Sequence, residues 1–266
     1  MKRRFDKMHG LGNDFVIVDA RVSPFGVTPA LAKAIANRRT GVGCDQLIVL
    51  EPSETADFKM RIWNSDGGEV ESCGNATRCV VQLTRANKID SDGGLLIGEN
   101  FGAEVEVSIG EPRFDWDKIP LAYPMDASAL PMAWDGLEQP FAVNVGNPHL
   151  VFFVADAREV PLDTLGPQIE NDPAFPERIN VNVATYVHDR LKLRTFERGA
   201  GETLACGTGA CASAVAAIVT RRAQSPVKVD MTGGSLTIAW ESGQPIRMRG
   251  GATHVFSGEL DLEALQ

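Results

Sequence analysis

The chain has 266 residues, enough for one large domain or two of about 130, and either size can bury a real core. Hydrophobic residues make up 44% and charged residues 23%, as in a soluble globular protein, and a net charge of −9 argues against a nucleic-acid surface. The start "MKRRFDKMHGLGND" has no apolar secretory core, the longest apolar stretches fall short of a membrane span, and the five cysteines include no Cys-x-x-Cys pair, so reduced thiols and a cytoplasmic location are expected.

In chain order, Gly12-Asn13 opens a β-like run, and "FKMRIWN" at 58–64 alternates as a strand. Cys73 opens a helical pattern, "CGNATRCVVQLTRANK", expected to gather Arg85 and Lys88 in its last turn. "GAEVEVSIG" at 102–110 reads as a strand, whereas 111–140 holds five prolines and suits a connector better than a core element. Gly146-Asn147 opens another β-like run, and "RLKLRTFE" at 190–197 another alternating strand. Cys206 opens "CGTGACASAVAAIVTRR", a helix expected to end on Arg221 and Arg222, where cations complement the helix dipole. That helix is apolar nearly all round and is expected inside a surrounding sheet. A hairpin over 234–251 follows.

The second half repeats the first. Lys59, Arg61, Gly68, Glu69, Cys73 and Gly74 recur 133 residues later as Lys192, Arg194, Gly201, Glu202, Cys206 and Gly207, and Trp63 corresponds to Phe196. Solenoid repeats run only about 20 to 50 residues, so this unit is a duplicated domain. The expectation is an α+β fold of two pseudo-symmetric domains, 1–120 carrying Cys73 and 121–266 carrying Cys206. Each is a β-rich shell or barrel around a central helix.

A cysteine at a helix N-terminus meets the positive end of the dipole and unpaired amides, which favour thiolate, so both thiols are expected to titrate below the ordinary value of about 8.5. The glycine after each removes a side chain and lets an anion reach the amides. Two such starts facing each other suit proton transfer on opposite faces of a carbon bearing a carboxylate, with inversion as the outcome. Cys44, Cys79 and Cys211 read as small buried residues. The scattered histidines His9, His149, His188 and His254 give no zinc spacing, "GAGE" lacks the ending of a phosphate loop, and a redox dithiol lacks its usual close spacing. His149 and Glu197 are equally well read as ordinary surface groups.

"HGLGNDF" (9–15), "GVGCDQ" (41–46), "ESCGN" (71–75), "GNPH" (146–149), "INVNV" (179–183) and "ERGAGETLACGTGACA" (197–212) together resemble the diaminopimelate epimerase family. The resemblance implies a cofactor-independent, PLP-independent and metal-free isomerase interconverting LL- and meso-diaminopimelate on the lysine and peptidoglycan route. It implies a site in the cleft between two domains, a homodimer, and neither a nucleic-acid nor a membrane partner. Carried over, Cys73 is the proton donor and Cys206 the acceptor in the LL to meso direction. Gly74, Asn75, Gly207 and Thr208 supply the amides that hold the reacting carboxylate. Asn13, Gln46, Asn64, Asn147 and Asn180 are polar substrate contacts, Glu197 and Arg198 also touch substrate, and Arg198 grips the distal carboxylate. His149 and Glu197 tune or relay the cysteine protons. Ala76-Thr77 depart from the family's glycine and narrow the first nest. A proline or hydroxyproline racemase is the nearest alternative, and a non-catalytic thiol-redox or ligand-binding protein the alternative of another class.

Overall fold

The computed structural model describes residues 2–71 and 73–265; Ser72 of the "ESCGN" stretch and the end positions Met1 and Gln266 lie outside the described residues. The chain forms two compact units, one running to Ser108 and resuming at Gly250, the other Ile109–Arg249.

In the first unit, β1 (Lys2–Gly10) turns tightly into β2 (Asn13–Asp19), with Gly12 at a φ of +89° that favours glycine. Helix α1 (Pro29–Ala36) starts on Thr28, whose hydroxyl accepts the Leu31 N–H at 3.2 Å, with proline at the first helical position. β3 (Gln46–Glu51) lies parallel to β2, with Phe15 beside Gln46, and β4 (Phe58–Asn64) is antiparallel to β3, with Gln46 opposite Asn64. β5 (Glu69–Val70) folds back on β4 and leads into α2 (Gly74–Thr84). β6 (Lys88–Asp90) returns parallel to β4, and β7 (Leu96–Phe101) and β8 (Glu104–Gly110) follow as antiparallel neighbours. Strand alternation splits the core: Val16, Val18, Leu47, Val49 and Trp63 pack with the α1 residues Ala32 and Ile35, while Ile17, Ile48, Met60 and Ile62 point to the opposite face. Helix α2 packs on β1, β2 and β7.

The second unit repeats this path after a small hairpin of β9 (Ala133–Trp134) and β10 (Leu137–Glu138). β11 (Phe141–Asn144) pairs with β12 (Pro148–Phe153), and α3 (Leu162–Glu170) crosses to β13 (Asn180–Val187), parallel to β12 with His149 beside Asn180. β14 (Arg190–Glu197) and β15 (Gly201–Thr203) lead into α4 (Gly207–Val219), and β16 (Val227–Met231), β17 (Gly234–Ala239) and β18 (Ile246–Gly251) complete the shell. Small residues let α4 sit inside it, and every residue from Gly209 to Ala217 is buried. The chain then returns to the first unit as β19 (Thr253–Asp261), antiparallel to β1.

Three expectations differ from the structure. The units divide at Ser108/Ile109 instead of near 120, and residues from Gly250 on belong with the first unit, because β19 completes the backbone pairing of β1. The proline-rich 111–140 segment is more than a connector: Ile119, Leu121, Ala127, Leu130 and Leu137 are buried with Leu162, Leu165 and Ile169 of α3. Neither central helix carries a cation in its last turn. Helix α2 stops where Arg85 turns left-handed at a φ of +61°, and α4 caps on Thr220, just before Arg221 turns at +57°.

The structure also accounts for the glutamate four residues ahead of each cysteine. Arg61 donates to both oxygens of Glu69 (2.6 and 2.8 Å), and Arg194 does the same to Glu202 (2.7 and 2.8 Å), tying each short return strand to its neighbour. Both carboxylates remain about one third exposed, 34% and 35%, so each pair is a surface ion pair. Glu69→Gln and Glu202→Gln are expected to lower stability by no more than about 1 kcal/mol each in urea unfolding. A loss of several kcal/mol from either would contradict that assignment.

Candidate active site

Cys73 is the residue before α2, in extended conformation, and is half-buried. The first backbone bond of the helix runs from the Thr77 N–H to the Cys73 carbonyl at 2.9 Å, so the amides of Gly74, Asn75 and Ala76 precede the helical ladder. The Cys73 thiol donates to Asn13 Oδ1 at 3.8 Å, and Asn75 Nδ2 donates to the same oxygen at 3.3 Å. Both amides are oriented from behind. Asn13 Nδ2 donates to Asp45 Oδ2 at 2.9 Å, and the fully buried Arg78 donates to Asn75 Oδ1 at 2.8 Å. Asp45 is in turn held by Arg38, which also binds Asp14, and Lys7 completes the cluster on Asp14. Burial works against charge on Asp14, but Arg38 and Lys7 outweigh it and hold its carboxyl far below the usual range. Next along β3, Gln46 Nε2 donates to Asn64 Oδ1 at 2.8 Å.

Cys206 occupies the same place before α4, with only 4% exposure. Its sulfur accepts the Gly209 N–H at 3.3 Å and lies 3.5 Å from the Thr208 hydroxyl, leaving the Gly207 and Thr208 amides ahead of the first helical bond, Ala210 N–H to the Cys206 carbonyl at 3.0 Å. A side chain at Gly209 does not fit: a Cβ there stands 2.6 Å from Asn182 Oδ1 and 2.8 Å from Thr195 Oγ1. Glu197 ends β14 beside this thiol and accepts from the Thr203 hydroxyl at 2.5 Å.

The expectation that both thiols titrate below the ordinary value fails for Cys206. Burial, and then the negative charge of Glu197, push this thiol well up, and the hydrogen bonds from Thr208 and Gly209 do not offset them. Cys44 and Cys79 are also raised, to about 11 and about 12, by burial.

His149 is fully buried, with Nε2 at 2.8 Å from Asn147 Oδ1 and Nδ1 at 3.1 Å from Asn182 Nδ2. Burial and the nearby charge of Arg198 push its pKa down to about 3, so the ring is neutral across the physiological range. It is therefore not an ordinary surface group. Asn180 donates to the Pro148 carbonyl (2.8 Å) and accepts the Arg198 N–H (3.0 Å), fixing the backbone from which the Arg198 side chain projects. Arg198 Nη1 donates to the Glu177 carbonyl at 2.8 Å, and Arg198 and Asn147 share a cavity of about 310 Å³ with Arg113 and Lys118.

Within the first unit Asn13, Cys73 and Asn75 are hydrogen bonded to one another and Gln46 to Asn64, while within the second His149 is bonded to Asn147, Asn180 to Arg198, and Cys206 lies against Thr208 and Glu197. Sequence reasoning missed the supporting residues Asp45, Arg78, Asn182 and Thr195. Two of them fall within the stretches that carry the family resemblance: Asp45 in "GVGCDQ", and Asn182 in "INVNV", where asparagines alternate with buried valines. Among the described residues no group of three or more His, Cys, Asp and Glu gathers as a metal ion requires. Likewise no helix is long and apolar enough to cross a membrane.

Residues 5–114 and 141–255 match the sequence profile of the family described as diaminopimelate epimerase. The chain is 61% identical to a diaminopimelate epimerase of Rhizorhabdus wittichii, over 99% of this chain and 97% of that one. Among solved structures it resembles a Bacillus anthracis phenazine biosynthesis protein of the PhzF family (TM-score 0.68, 16% identity, 98% and 99% of the two chains). It also resembles an Agrobacterium vitis hydroxyproline epimerase solved with bound trans-4-hydroxy-L-proline (TM-score 0.65, 14% identity, 97% and 91%). At these identities the structural likeness concerns the fold alone.

Cys206 is expected to react slowly with iodoacetamide near pH 7 and faster only as pH rises beyond the ordinary thiol range, because its raised pKa keeps it a thiol. Glu197→Gln removes the negative charge and is expected to speed that reaction at fixed pH, followed by peptide mapping. Slower alkylation of the substrate-free variant would contradict the Glu197 charge as a cause of the raised thiol.

Proposed function

The chain belongs to the diaminopimelate epimerase family, and from that premise we propose that it interconverts LL- and meso-diaminopimelate, with Cys206 removing the α-proton and Cys73 supplying one in the LL to meso direction. The observation that carries the reading is the duplicated helix start, a cysteine ahead of a central helix in each of two units that share one strand order. Each half contributes one thiol. The amides of Gly74, Asn75, Gly207 and Thr208 hold the reacting carboxylate, onto which charge spreads as the proton leaves. Cys73 has a thiol hydrogen bonded to Asn13, which suits a donor. Glu197, whose charge adds to burial in keeping the resting thiol neutral, takes the Cys206 proton once substrate is bound, giving the thiolate that abstracts the α-proton, and Thr208 and the Gly209 N–H stabilise that sulfur anion.

The far end of the substrate is a second amino acid group. Arg198 binds its carboxylate through the planar fork, and Asn64, Gln46, Asn147 and Asn180 complete the polar surroundings. The reaction on this reading uses neither cofactor nor metal. The protein works in the cytoplasm as a homodimer, in lysine and peptidoglycan-precursor synthesis, on a small molecule and without nucleic acid.

Purified protein given LL-diaminopimelate, with no pyridoxal phosphate and no metal added, is expected to yield the meso isomer. Cys73→Ala and Cys206→Ala should each abolish conversion while remaining folded; Cys44→Ala, Cys79→Ala and Cys211→Ala should retain it. Near-normal turnover in either of the first two variants overturns the mechanism. Arg198→Lys keeps the charge and loses the fork, and should raise KM at least about tenfold, or 1.4 kcal/mol. Equal kcat/KM for diaminopimelate and proline would instead favour a racemase without a distal anchor.

A further inference from the structure

His149 has both ring nitrogens engaged inside the second unit, and the partners fix which of them carries the proton. The Leu150 backbone carbonyl can only accept a hydrogen bond. Asn182 Nδ2 lies 2.7 Å from the Leu150 carbonyl oxygen, and Asn182 Oδ1 lies 2.9 Å from the Thr195 hydroxyl. The reverse amide orientation would set two acceptor oxygens 2.7 Å apart, so Nδ2 is the atom facing Leu150. The same Nδ2 lies 3.1 Å from His149 Nδ1, and its second hydrogen points the lone pair of Nδ1 back at it. Nδ1 therefore accepts, the proton of the neutral ring sits on Nε2, and Nε2–H donates to Asn147 Oδ1 at 2.8 Å. That bond turns the Asn147 amide so that both hydrogens of Nδ2 face away from the ring. Asn147 lines the same cavity as Arg198.

We propose that Asn182 is a positioning residue: it locks His149 as the Nε2–H tautomer, which presents the Asn147 amide as a hydrogen-bond donor to a carboxylate of the substrate. His149 on this account is a fixed donor and carries no proton to or from the cysteines. Asn182 is fully buried, and its side-chain partners are His149, the Leu150 carbonyl and Thr195. It also lies beneath the start of α4, where Gly209 leaves room for its Oδ1, so the same side chain supports both the amide donor and the helix that carries Cys206. The substrate part of the proposal rests on the epimerase reading; the tautomer does not.

The test is ¹⁵N NMR of the full-length protein with labelled histidine, the His149 signals being those lost in His149→Gln. The expected spectrum has a protonated Nε2 and a bare Nδ1 from pH 5 to pH 9. A proton on Nδ1, or a ring that gains charge in this range, overturns the proposal. Asn182→Asp replaces the donor with an acceptor, so the proton should move to Nδ1, the Asn147 amide should reverse, and KM for diaminopimelate should rise at least about tenfold with kcat within about threefold. A switched tautomer with unchanged KM overturns the role of Asn147, and if the variant does not fold the native spectrum decides. A native Nε2–H tautomer in a protein that leaves diaminopimelate untouched would sink the epimerase reading and keep the lock.

Discussion

A cysteine stands where a helix ordinarily carries serine, threonine, asparagine or aspartate, and the rest of each unit is arranged around that substitution. An ordinary cap satisfies the first amides with a side-chain oxygen. A thiol does this weakly, so on the proposed reading the amides of Gly74 and Asn75, and of Gly207 and Thr208, are left for an anion. For such a start to be useful it must be shielded from water and held still. The shells of strands do the first. Buried side chains do the second: Arg78 on Asn75 in one unit, and Asn182 and Thr195 packed beneath Gly209 in the other.

The duplicated frame holds two chemically different thiols. Residues at matching places in the strands diverge in kind: Asn64 and Glu197 end β4 and β14, and Phe15 and His149 stand at the parallel crossings of β2 with β3 and β12 with β13. Around Cys73 the neighbours are amides, backed by the ion cluster of Asp45, Asp14, Arg38 and Lys7. Around Cys206 they are a carboxylate and a hydroxyl in a buried pocket; burial and the carboxylate favour the neutral thiol, and the hydroxyl only partly opposes them. The two thiols thus differ in their surroundings without any difference in backbone, and the proposed division into proton source and base rests on that difference.

What was legible in the sequence was local. Alternation marked β4 and β14 to the residue, and a cysteine followed by glycine and a small-residue run marked both central helices. The Arg61–Glu69 and Arg194–Glu202 pairs that stitch each return strand appear as the spaced repeat itself. Properties set by distant neighbours were not legible. The Cys206 thiol follows burial by strands far along the chain, and no helix-dipole argument anticipates it. Asp45 and Asn182 act through partners across a sheet, and the two outer helices, α1 and α3, are short segments whose apolar residues matter only once a sheet face is available. The return of β19 to β1 spans most of the chain and leaves no mark in either segment.

The central claim is that two thiols serve one α-carbon. It is tested most directly by letting the enzyme convert LL-diaminopimelate in deuterium oxide and reading the isotope at low conversion in both product and recovered substrate. Two separate groups, one abstracting and one donating, predict meso product carrying deuterium at the inverted carbon while the remaining LL substrate keeps its protium. A product that retains the original proton, or substrate that gains deuterium as fast as product forms, would point to a single exchanging group and contradict the account.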